Sequence, residues 1–157
     1  CFHSSGRMST MNKKNDRLYS AQELLFYGYR AFTALPDEML AKRGLARVHH
    51  RIIYFVGRDP GLSVNKLLSK LGVSKQALNA PLRRLQELGL IAAELSENDR
   101  RVKCLTLTVE GLKLDAELCA SQHKLLTNIF NICGQEAETG WRMVMTALAN
   151  SEKGQRQ

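Results

Sequence analysis

The sequence predicts a mainly α-helical fold with one small β-hairpin, and three observations support this prediction. Apolar side chains recur every three or four positions over most of the chain, which is the spacing of amphipathic helices. The stretch VKCLTLT at 102–108 alternates instead, as a half-buried strand does. The polar turn SENDRR at 96–101 separates it from the apolar segment 90–95, so the two segments are predicted to pair as a hairpin.

The first two predicted helices cover residues 17–35 and 45–57. Pro36 and Asp37 are expected to end the first helix, and Gly57 with the DPG turn that follows is expected to end the second. The first helix is apolar around most of its circumference. It therefore needs to be buried on two sides.

Two shorter helices come next, joined by a glycine-containing turn. Ser63 is placed to cap VNKLLSKL, which Gly72 ends, and Ser74 is placed to cap KQALNAPLRRLQEL, which Gly89 ends. Four leucines at helical spacing are expected to hold the second of these helices against the core: Leu78, Leu82, Leu85 and Leu88.

Pro81 lies inside that second helix and cannot donate a hydrogen bond to the carbonyl of Ala77. Two interpretations are open. Either the helix becomes regular only from Asn79, or a kink at the proline tilts residues 75–79 relative to the leucines.

A long helix over 109–133 and a last helix over 136–149 follow the hairpin. Nothing in the chain is available to cover the apolar faces of the first helix and of these two. A second copy of the same chain is the simplest partner, so a homodimer is predicted.

The composition indicates an anionic partner. The 157 residues include 23 lysines and arginines against 15 aspartates and glutamates, a net charge of +8, which is typical of proteins that bind nucleic acid or an acidic membrane surface. No apolar run approaches the ~18 residues needed to cross a bilayer, so no membrane partner is predicted. Four scattered cysteines indicate a reduced cytoplasm rather than a metal site or disulfide framework, and common enzyme motifs are missing. No catalytic residue, metal or cofactor is therefore predicted.

Two short helices of which the second is polar and basic are typical of a helix-turn-helix. In that motif the second helix enters the major groove of DNA, where Gln76 and Asn79 can bond adenine and Lys75 can reach guanine. Arg83 and Arg84 lie further along, where the rim of the groove offers phosphates. Double-stranded DNA is thus the predicted partner.

The hairpin completes the winged version of this motif. Its tip carries Asn98, Asp99, Arg100 and Arg101, and arginines at such a tip can enter the adjacent minor groove, where the potential is negative. Asp99 repels phosphate, so it is expected to brace a neighbouring arginine. A solvated turn without a partner is the alternative.

The predicted organisation is a winged helix-turn-helix over residues 45–108, flanked by N- and C-terminal dimerisation helices at 15–36 and 109–150. Residues 1–7 are expected to be the remnant of an expression tag. Residues 151–157 are expected to form a polar tail.

The segment LSVNKLLSKLGVSKQALNAPLRRLQELGLI, followed by ENDRRVKCLTLTVEG, resembles the winged-helix core of the multiple-antibiotic-resistance regulator (MarR) family. DRR at 99–101 matches the D-x-R signature of the family's wing, and LTVEG at 107–111 matches the L-T-x-x-G that follows it. The resemblance covers residues 15–150 and implies a homodimeric repressor that binds a pseudo-palindromic operator and is released by a small ligand. Pro81 departs from the aliphatic residue that is usual there. The residues that the resemblance implies as DNA contacts are Ser74, Lys75, Gln76 and Asn79 for bases, with Asp99 and Arg101 in the wing.

A candidate effector site follows from the same resemblance, because the family often binds small aromatic acids between its dimerisation and DNA-binding parts. Arginine holds carboxylates with its two-pronged geometry. The segments HHRIIYF and QALNAPLR also resemble regulators of nicotinate-type aromatic catabolism, which implies a hydroxylated aromatic carboxylate. The candidate residues are His49, His50 and Arg51, with Tyr19, Tyr27 or Tyr29 as an aromatic wall.

Structural roles that involve no ligand are the alternative for these residues. His49 lies on the apolar face of its predicted helix, so it is expected to be a core histidine unless it lines a pocket. The basic residues between 42 and 58 can form a solvated face near DNA phosphate, and the tyrosines can simply pack.

Two alternative functions are also open. Cys104, Cys119 and Cys133 are expected to be small apolar residues, but a cysteine-based redox-sensing regulator is possible. The family's peroxide-sensing version is disfavoured, since no cysteine occurs between residues 2 and 103. The second alternative is a winged helix used only for protein–protein contact.

Overall fold

The computed structural model describes residues 5–96 and 100–154. In these residues the chain forms helices at both ends, with a helix-turn-helix and a small sheet between them. The elements are α1 (Ser5–Ala41), α2 (Arg47–Arg58), β1 (Leu62–Ser63), α3 (Val64–Leu71), α4 (Lys75–Glu87), β2 (Ile91–Leu95), β3 (Lys103–Leu107), α5 (Val109–Cys133) and α6 (Gln135–Gly154). The predicted fold class, mainly α with a β-hairpin wing between terminal helices, is confirmed.

The sheet is antiparallel, with the strand order β1-β3-β2. The predicted hairpin is present, and its register starts with Ile91 opposite Leu107. β1 is too short to be predicted, because two residues show no alternation. Its Leu62 pairs with Leu105, and both side chains are buried. This short strand therefore attaches the segment before α3 to the wing.

The hydrophobic core lies between the end of α1, α2, α3, α4, the sheet and the first half of α5. It is built largely of leucine and isoleucine, as the helical spacing predicts. Its fully buried side chains include Leu40, Ile52, Ile53, Leu62, Leu67, Leu78, Leu85, Leu105, Leu114 and Leu118.

The predicted caps set the boundaries of α3 and α4. The hydroxyl oxygen of Ser63 accepts a hydrogen bond from the Lys66 amide, and that of Ser74 accepts one from the Ala77 amide. Gly72 ends α3 in the left-handed conformation, with φ 66°, which glycine adopts without a steric penalty.

Helix α1 does not end at Pro36 and Asp37 as predicted but continues to Ala41. A proline inside a helix leaves the carbonyl four residues before it without a backbone donor, and here that carbonyl belongs to Phe32. The side-chain amide of Gln122, on α5, donates to this carbonyl at 3.4 Å. Because a tertiary contact supplies the missing donor, the local sequence gives no sign that the helix continues.

Helix α4 begins at Lys75, directly after the Ser74 cap, and contains Pro81. The interpretation in which the helix becomes regular only from Asn79 is therefore wrong. The cap fixes the first turn before the proline is reached, so Lys75 and Asn79 belong to the same helix as the core leucines.

Both ends of the chain differ from the predicted boundaries. α6 continues to Gly154, so the expected polar tail at 151–157 begins as helix, and residues 155–157 lie outside the described residues. α1 begins at Ser5, within the segment expected to be a tag remnant, and residues 1–4 lie outside the described residues.

The terminal helices expose much apolar surface in the single chain. On α1, residues 15–31 are all exposed. Within the described ranges, no helix has the length and apolar character that crossing a bilayer requires. The large exposed apolar side chains, termed the apolar terminal surface, are Leu18, Tyr19, Leu24, Leu25, Phe26, Tyr27, Tyr29 and Leu35 on α1, Val109, Leu112, Ile129 and Ile132 on α5, and Trp141, Met143, Val144 and Leu148 on α6.

Candidate nucleic-acid interface

Helix α4 packs on the core through three leucines and presents polar side chains on its other sides. Leu78, Leu82 and Leu85 are buried and lie three or four residues apart, so they share one face. Leu88, which was predicted to join them, is 39% exposed. It is the residue at which α4 ends, and Leu90 enters the core instead. The exposed side chains of α4 include Lys75, Gln76, Asn79, Arg83 and Arg84.

Ser74, predicted to face bases, has a defined structural role at the start of α4. Its Oγ accepts a hydrogen bond from the Ala77 amide at 3.2 Å, while the side chain stays exposed. Because the helix begins immediately after this cap, Lys75, Gln76 and Asn79 occupy its first two turns. These turns are the part of a recognition helix that contacts base edges.

The two arginines of α4 lie in different surroundings. Arg83 is within 3.9 Å of Glu87, one turn further along, and it also borders the wing. Arg84 lies against the turn between α1 and α2, where its Nη2 is 3.9 Å from the position that a Cβ on Gly44 would take. Of the two, Arg83 is the one that the fold brings to the wing.

The wing tip is described in part. Arg100 and Arg101 are exposed, whereas Asn98 and Asp99 lie outside the described residues. Arg101 precedes β3 and, with Lys103, faces α4 across a groove. The fold thus brings one predicted wing residue next to the predicted recognition helix.

A groove of about 420 Å³ runs between α4 and the wing and reaches the start of α3. It is termed the helix–wing groove. Its lining residues are Ser63, Val64, Asn65, Lys75, Asn79, Leu82, Arg83, Gln86, Arg101, Val102, Lys103 and Leu105.

The groove is lined both by residues predicted to contact DNA and by residues that were not predicted. Asn65, Gln86 and Lys103 were not predicted to take part. The alternation of β3 could have identified Lys103, because Lys103 shares a strand face with the core residue Leu105 and therefore points to the side on which α4 packs. Asn65 and Gln86 carry no comparable signal.

The predicted effector-binding residues do not converge within one chain. Tyr19 and Tyr27 lie on the exposed part of α1. Arg51 is exposed, and its Nη2 donates to the carbonyl of Leu71 at 3.1 Å. These three side chains therefore have separate surroundings.

The two histidines of α2 also differ. His49, expected on the core side, is half-buried, and its Nδ1 accepts a hydrogen bond from the Ala46 amide at 2.9 Å. His50 is the buried one, at 8% exposure. Burial lowers the pKa of His50 below its usual value near 6.5, against the opposing effect of the Asp115 and Asp37 carboxylates. Burial also lowers the pKa of His49.

A polar cluster that was not predicted lies at the contact between α1 and α2. The guanidinium of Arg47 pairs with the carboxylate of Asp37, and its central carbon is 5.1 Å from the centre of the Tyr29 ring. Because the charge of Asp37 also acts on His50, these four side chains form one electrostatic environment.

The contact between α2 and α5 contains a second charged cluster. Arg58 Nη1 donates to Asp115 Oδ2 at 3.2 Å, and its Nη2 donates to Cys119 Sγ at 3.0 Å. The Cys119 thiol donates to Asp115 Oδ1 at 3.6 Å. Burial raises the pKa of this thiol, with the charge of Asp115 adding to the effect, which disfavours the reactive thiolate.

The other two described cysteines are less buried. Cys104 is half-buried and Cys133 is exposed. Of the three cysteines expected to be small apolar residues, Cys119 is buried but hydrogen-bonded to Arg58 and Asp115, and Cys133 is exposed. In residues 5–96 and 100–154, no three His, Cys, Asp or Glu side chains are grouped so that they could hold a metal ion.

Comparison with known sequences relates this geometry to transcriptional regulators. A sequence profile described as MarR family matches residues 43–102. The chain is also 39% identical over 134 residues to the HTH-type transcriptional regulator PetP of Rhodobacter capsulatus. That match covers 85% of this chain and 81% of PetP.

Two solved structures share the fold. FabT of Streptococcus pneumoniae, in complex with DNA, matches with a TM-score of 0.79 and 18% identity, over 87% of this chain and 98% of FabT. NadR, in complex with 4-hydroxyphenylacetate, matches with a TM-score of 0.65 and 23% identity, over 95% of both chains. At these identities the likeness concerns the fold alone.

Proposed function

Because the chain belongs to the MarR family of transcriptional regulators, we propose that it is a sequence-specific DNA-binding regulator that acts as a homodimer on a pseudo-palindromic operator. The observation that carries this proposal is the outer face of α4. Lys75, Gln76 and Asn79 are exposed there above buried leucines, and the wing with its arginines lies beside them.

The chemistry of these three side chains suits base recognition. The amides of Gln76 and Asn79 can each pair with two atoms of adenine in the major groove, and Lys75 can donate to guanine. The buried leucines hold the helix, so the side chains are presented from a rigid support. The net charge of +8 adds the sequence-independent attraction to phosphates.

A binding assay tests the sequence preference. Fluorescence anisotropy is measured with the promoter region of the protein's own gene and with a scrambled duplex of equal length. We expect the double variant Gln76→Ala/Asn79→Ala to lose most of the preference, since one bidentate contact contributes about 1–3 kcal/mol of discrimination. Asn128→Ala, at an exposed position of α5, is the control. Equal binding of both duplexes by the wild-type protein would contradict the proposal.

The wing gives a second test, which separates DNA binding from a protein-contact role. The double variant Arg100→Ala/Arg101→Ala is expected to lose DNA affinity while the protein stays dimeric in sedimentation. Unchanged DNA affinity would instead favour a winged helix that contacts another protein.

The homodimer is supported by the apolar terminal surface. Its side chains come from three helices, and Leu24 and Ile132 are 69% and 80% exposed in the single chain. Exposed apolar side chains in this number are typical of obligate subunit contacts. Two-fold symmetry would place two α4 helices about one DNA turn, ~34 Å, apart.

A small aromatic carboxylate is proposed as the effector that releases the protein from DNA, which makes the protein a repressor. The proposed site lies where α1, α2 and α5 meet, around His50 and near Arg47 and Tyr29. Tyr19, Tyr27, His49 and Arg51 stay candidates, since a second subunit can bring further side chains to this region. The support is the chemistry of these groups and the fold shared with NadR, which was solved with 4-hydroxyphenylacetate.

Thermal unfolding tests the effector proposal. A ligand that binds the folded chain raises the unfolding temperature, and the stabilisation grows with the logarithm of the ligand concentration relative to its dissociation constant. We expect 4-hydroxyphenylacetate or another hydroxylated aromatic acid to do so, and to weaken operator binding. The matching phenol without a carboxylate should have no effect, and Arg47→Met should reduce the response. No response to any aromatic acid would contradict this part of the proposal.

A further inference from the structure

The helix–wing groove collects positive charge from two separate elements. Lys75 and Arg83 come from α4, and Lys103 comes from β3, with Arg101 immediately before that strand. The residues described along its lining include no carboxylate. A concave surface with this composition attracts an anion.

Lys103 is the informative residue of the groove. It lies two positions before Leu105 on β3, so both side chains leave the strand on the same face. At Leu105 that face is fully buried in the core, whereas at Lys103 it is exposed and opens towards α4. The ammonium group of Lys103 is therefore directed towards the groove and not away from the protein.

Asn65 adds a neutral donor at the start of α3, which the pairing of Ser63 with Cys104 places beside the start of β3. It is the second residue of α3, directly after the Ser63 cap and Val64, and it is exposed. No hydrogen bond of its side chain is among those found in the described residues. Three elements thus direct polar groups into one groove.

The shape of DNA indicates what would fill the groove. If α4 lies in the major groove and the wing reaches the adjacent minor groove, the sugar–phosphate strand that separates the two must pass between α4 and the wing. We propose that the helix–wing groove binds this strand, with Lys103 and Asn65 as phosphodiester contacts alongside Lys75. This inference depends on the proposed function, because it assumes that α4 and the wing face DNA.

The contacts in the groove have a predictable signature. A phosphate contact carries no sequence information, so its loss weakens binding to every duplex alike. Each phosphate that a cation neutralises contributes a slope of roughly −0.9 to the dependence of log affinity on log salt. Removing Lys103 should therefore change the salt dependence and leave the preference for one sequence over another unaltered.

The experiment measures the affinity of Lys103→Gln and wild type for a random 30-base-pair duplex and for the promoter duplex, from roughly 50 to 200 mM salt. Because each subunit of the proposed homodimer loses one contact, we expect the slope of Lys103→Gln to be less steep by about two, so that the affinity advantage of the wild type shrinks about tenfold over this range. The ratio of promoter to random affinity should stay unchanged. Lys103→Arg should keep the wild-type slope.

Lys124→Gln is the matched control, because it removes the same charge from an exposed position of α5 outside the groove. Its slope should equal that of the wild type. Thermal unfolding of each variant shows whether the fold is retained, and Asn65→Ala gives an independent test of the contact from α3. Asn65→Ala is expected to bind both duplexes more weakly by the same factor.

The outcomes separate the two proposals. An unchanged slope for a folded Lys103→Gln, or a loss confined to the promoter duplex, would overturn the groove inference while leaving sequence-specific binding intact. If the wild-type protein showed no sequence preference but Lys103→Gln still had a less steep salt dependence, the proposed function alone would be overturned. No binding to either duplex would overturn both.

Discussion

Asp115 carries a carboxylate that is 7% exposed, on the side of α5 that faces α2. Its charged partner Arg58 is the last residue of α2 and is itself 46% exposed. A buried carboxylate that loses its partner retains the cost of having been removed from water. The pair therefore matters for stability through Asp115 more than through Arg58.

The expected consequence is an asymmetry between substitutions. Arg58→Met keeps an apolar stem but leaves Asp115 unpaired, and we expect it to lower the free energy of unfolding by about 2–3 kcal/mol. The double variant Arg58→Met/Asp115→Asn should be less destabilised than the sum of the single variants. Urea unfolding of all four proteins measures this coupling.

Arg83→Met is the matched control, because Arg83 pairs with Glu87 at 3.9 Å on an exposed helix surface. Surface pairs of this kind contribute little. Equal effects at Arg58 and Arg83 would show that the burial of Asp115 has no energetic consequence.

His50 makes stability depend on pH. Since burial lowers its pKa, the unfolded chain takes up a proton below about pH 6.5 that the folded chain does not. Stability therefore falls as the pH falls below this value, by up to about 1.4 kcal/mol per pH unit for one proton. We expect His50→Gln to lose part of this slope in urea unfolding between about pH 5 and 7.

His49 contributes to the same window, because burial lowers its pKa too. The slope should therefore be reduced in His50→Gln, not abolished. His123→Gln, at an exposed position of α5, controls for the loss of one histidine. A His50→Gln protein with the full wild-type slope would exclude His50 as a source of the dependence.

The start of α5 is held against the wing by a close helix–sheet contact. Thr108 caps α5 through the Gly111 amide at 3.1 Å and also donates its hydroxyl to the carbonyl of Gly89. A Cβ on Gly111 would overlap the carbonyl oxygen of Leu90 and lie 3.3 Å from the Cβ of Leu107. Only a glycine lets the first turn of α5 approach the sheet this closely.

Gly111→Ala should force α5 away from the sheet. We expect a loss of about 1–3 kcal/mol in unfolding free energy, the usual cost of adding a group where there is no space. Gly140→Ala on α6 is the control, since nothing lies within 4 Å of its added Cβ. There the gain in helix propensity should stabilise by about 0.5–1 kcal/mol. Equal effects of the two substitutions would contradict the close contact.

The whole molecule exposes apolar side chains on its terminal helices and polar, basic ones on α4 and the wing. This separation fits the proposed homodimer, in which the apolar terminal surface would meet the partner subunit and the basic surface would meet DNA. A monomer would contact only one half of a two-fold symmetric operator. Operator affinity should therefore depend on the subunit contact.

Leu148→Asp is expected to weaken the dimer, because it places a charge within the apolar terminal surface. Sedimentation should show a shift towards monomer, and operator affinity should fall more than tenfold. Thr146→Asp, on another side of α6, should leave both unchanged. A dimeric Leu148→Asp protein would mean that α6 lies outside the subunit contact.

The local part of the fold followed from the sequence. Serine caps, glycine stops and the spacing of leucines predicted α3, α4 and α5, because each of these signals acts within a few residues of its own position. The same locality made Lys75, Gln76 and Asn79 identifiable, since a side chain opposite a leucine stripe must face outwards.

Contacts between distant segments required the folded chain. Helix α1 crosses Pro36 because Gln122, 90 positions after Phe32, donates a hydrogen bond to the carbonyl of Phe32. His50 is buried instead of His49, since the packing of α2 against α1 and α5 sets which side of the helix is covered. Lys103 and Asn65 meet in one groove only when α3, α4 and the wing have packed together. The periodicity of a segment reflects which of its side chains share one face. It does not determine which distant segment packs against that face, and these features depend on that packing.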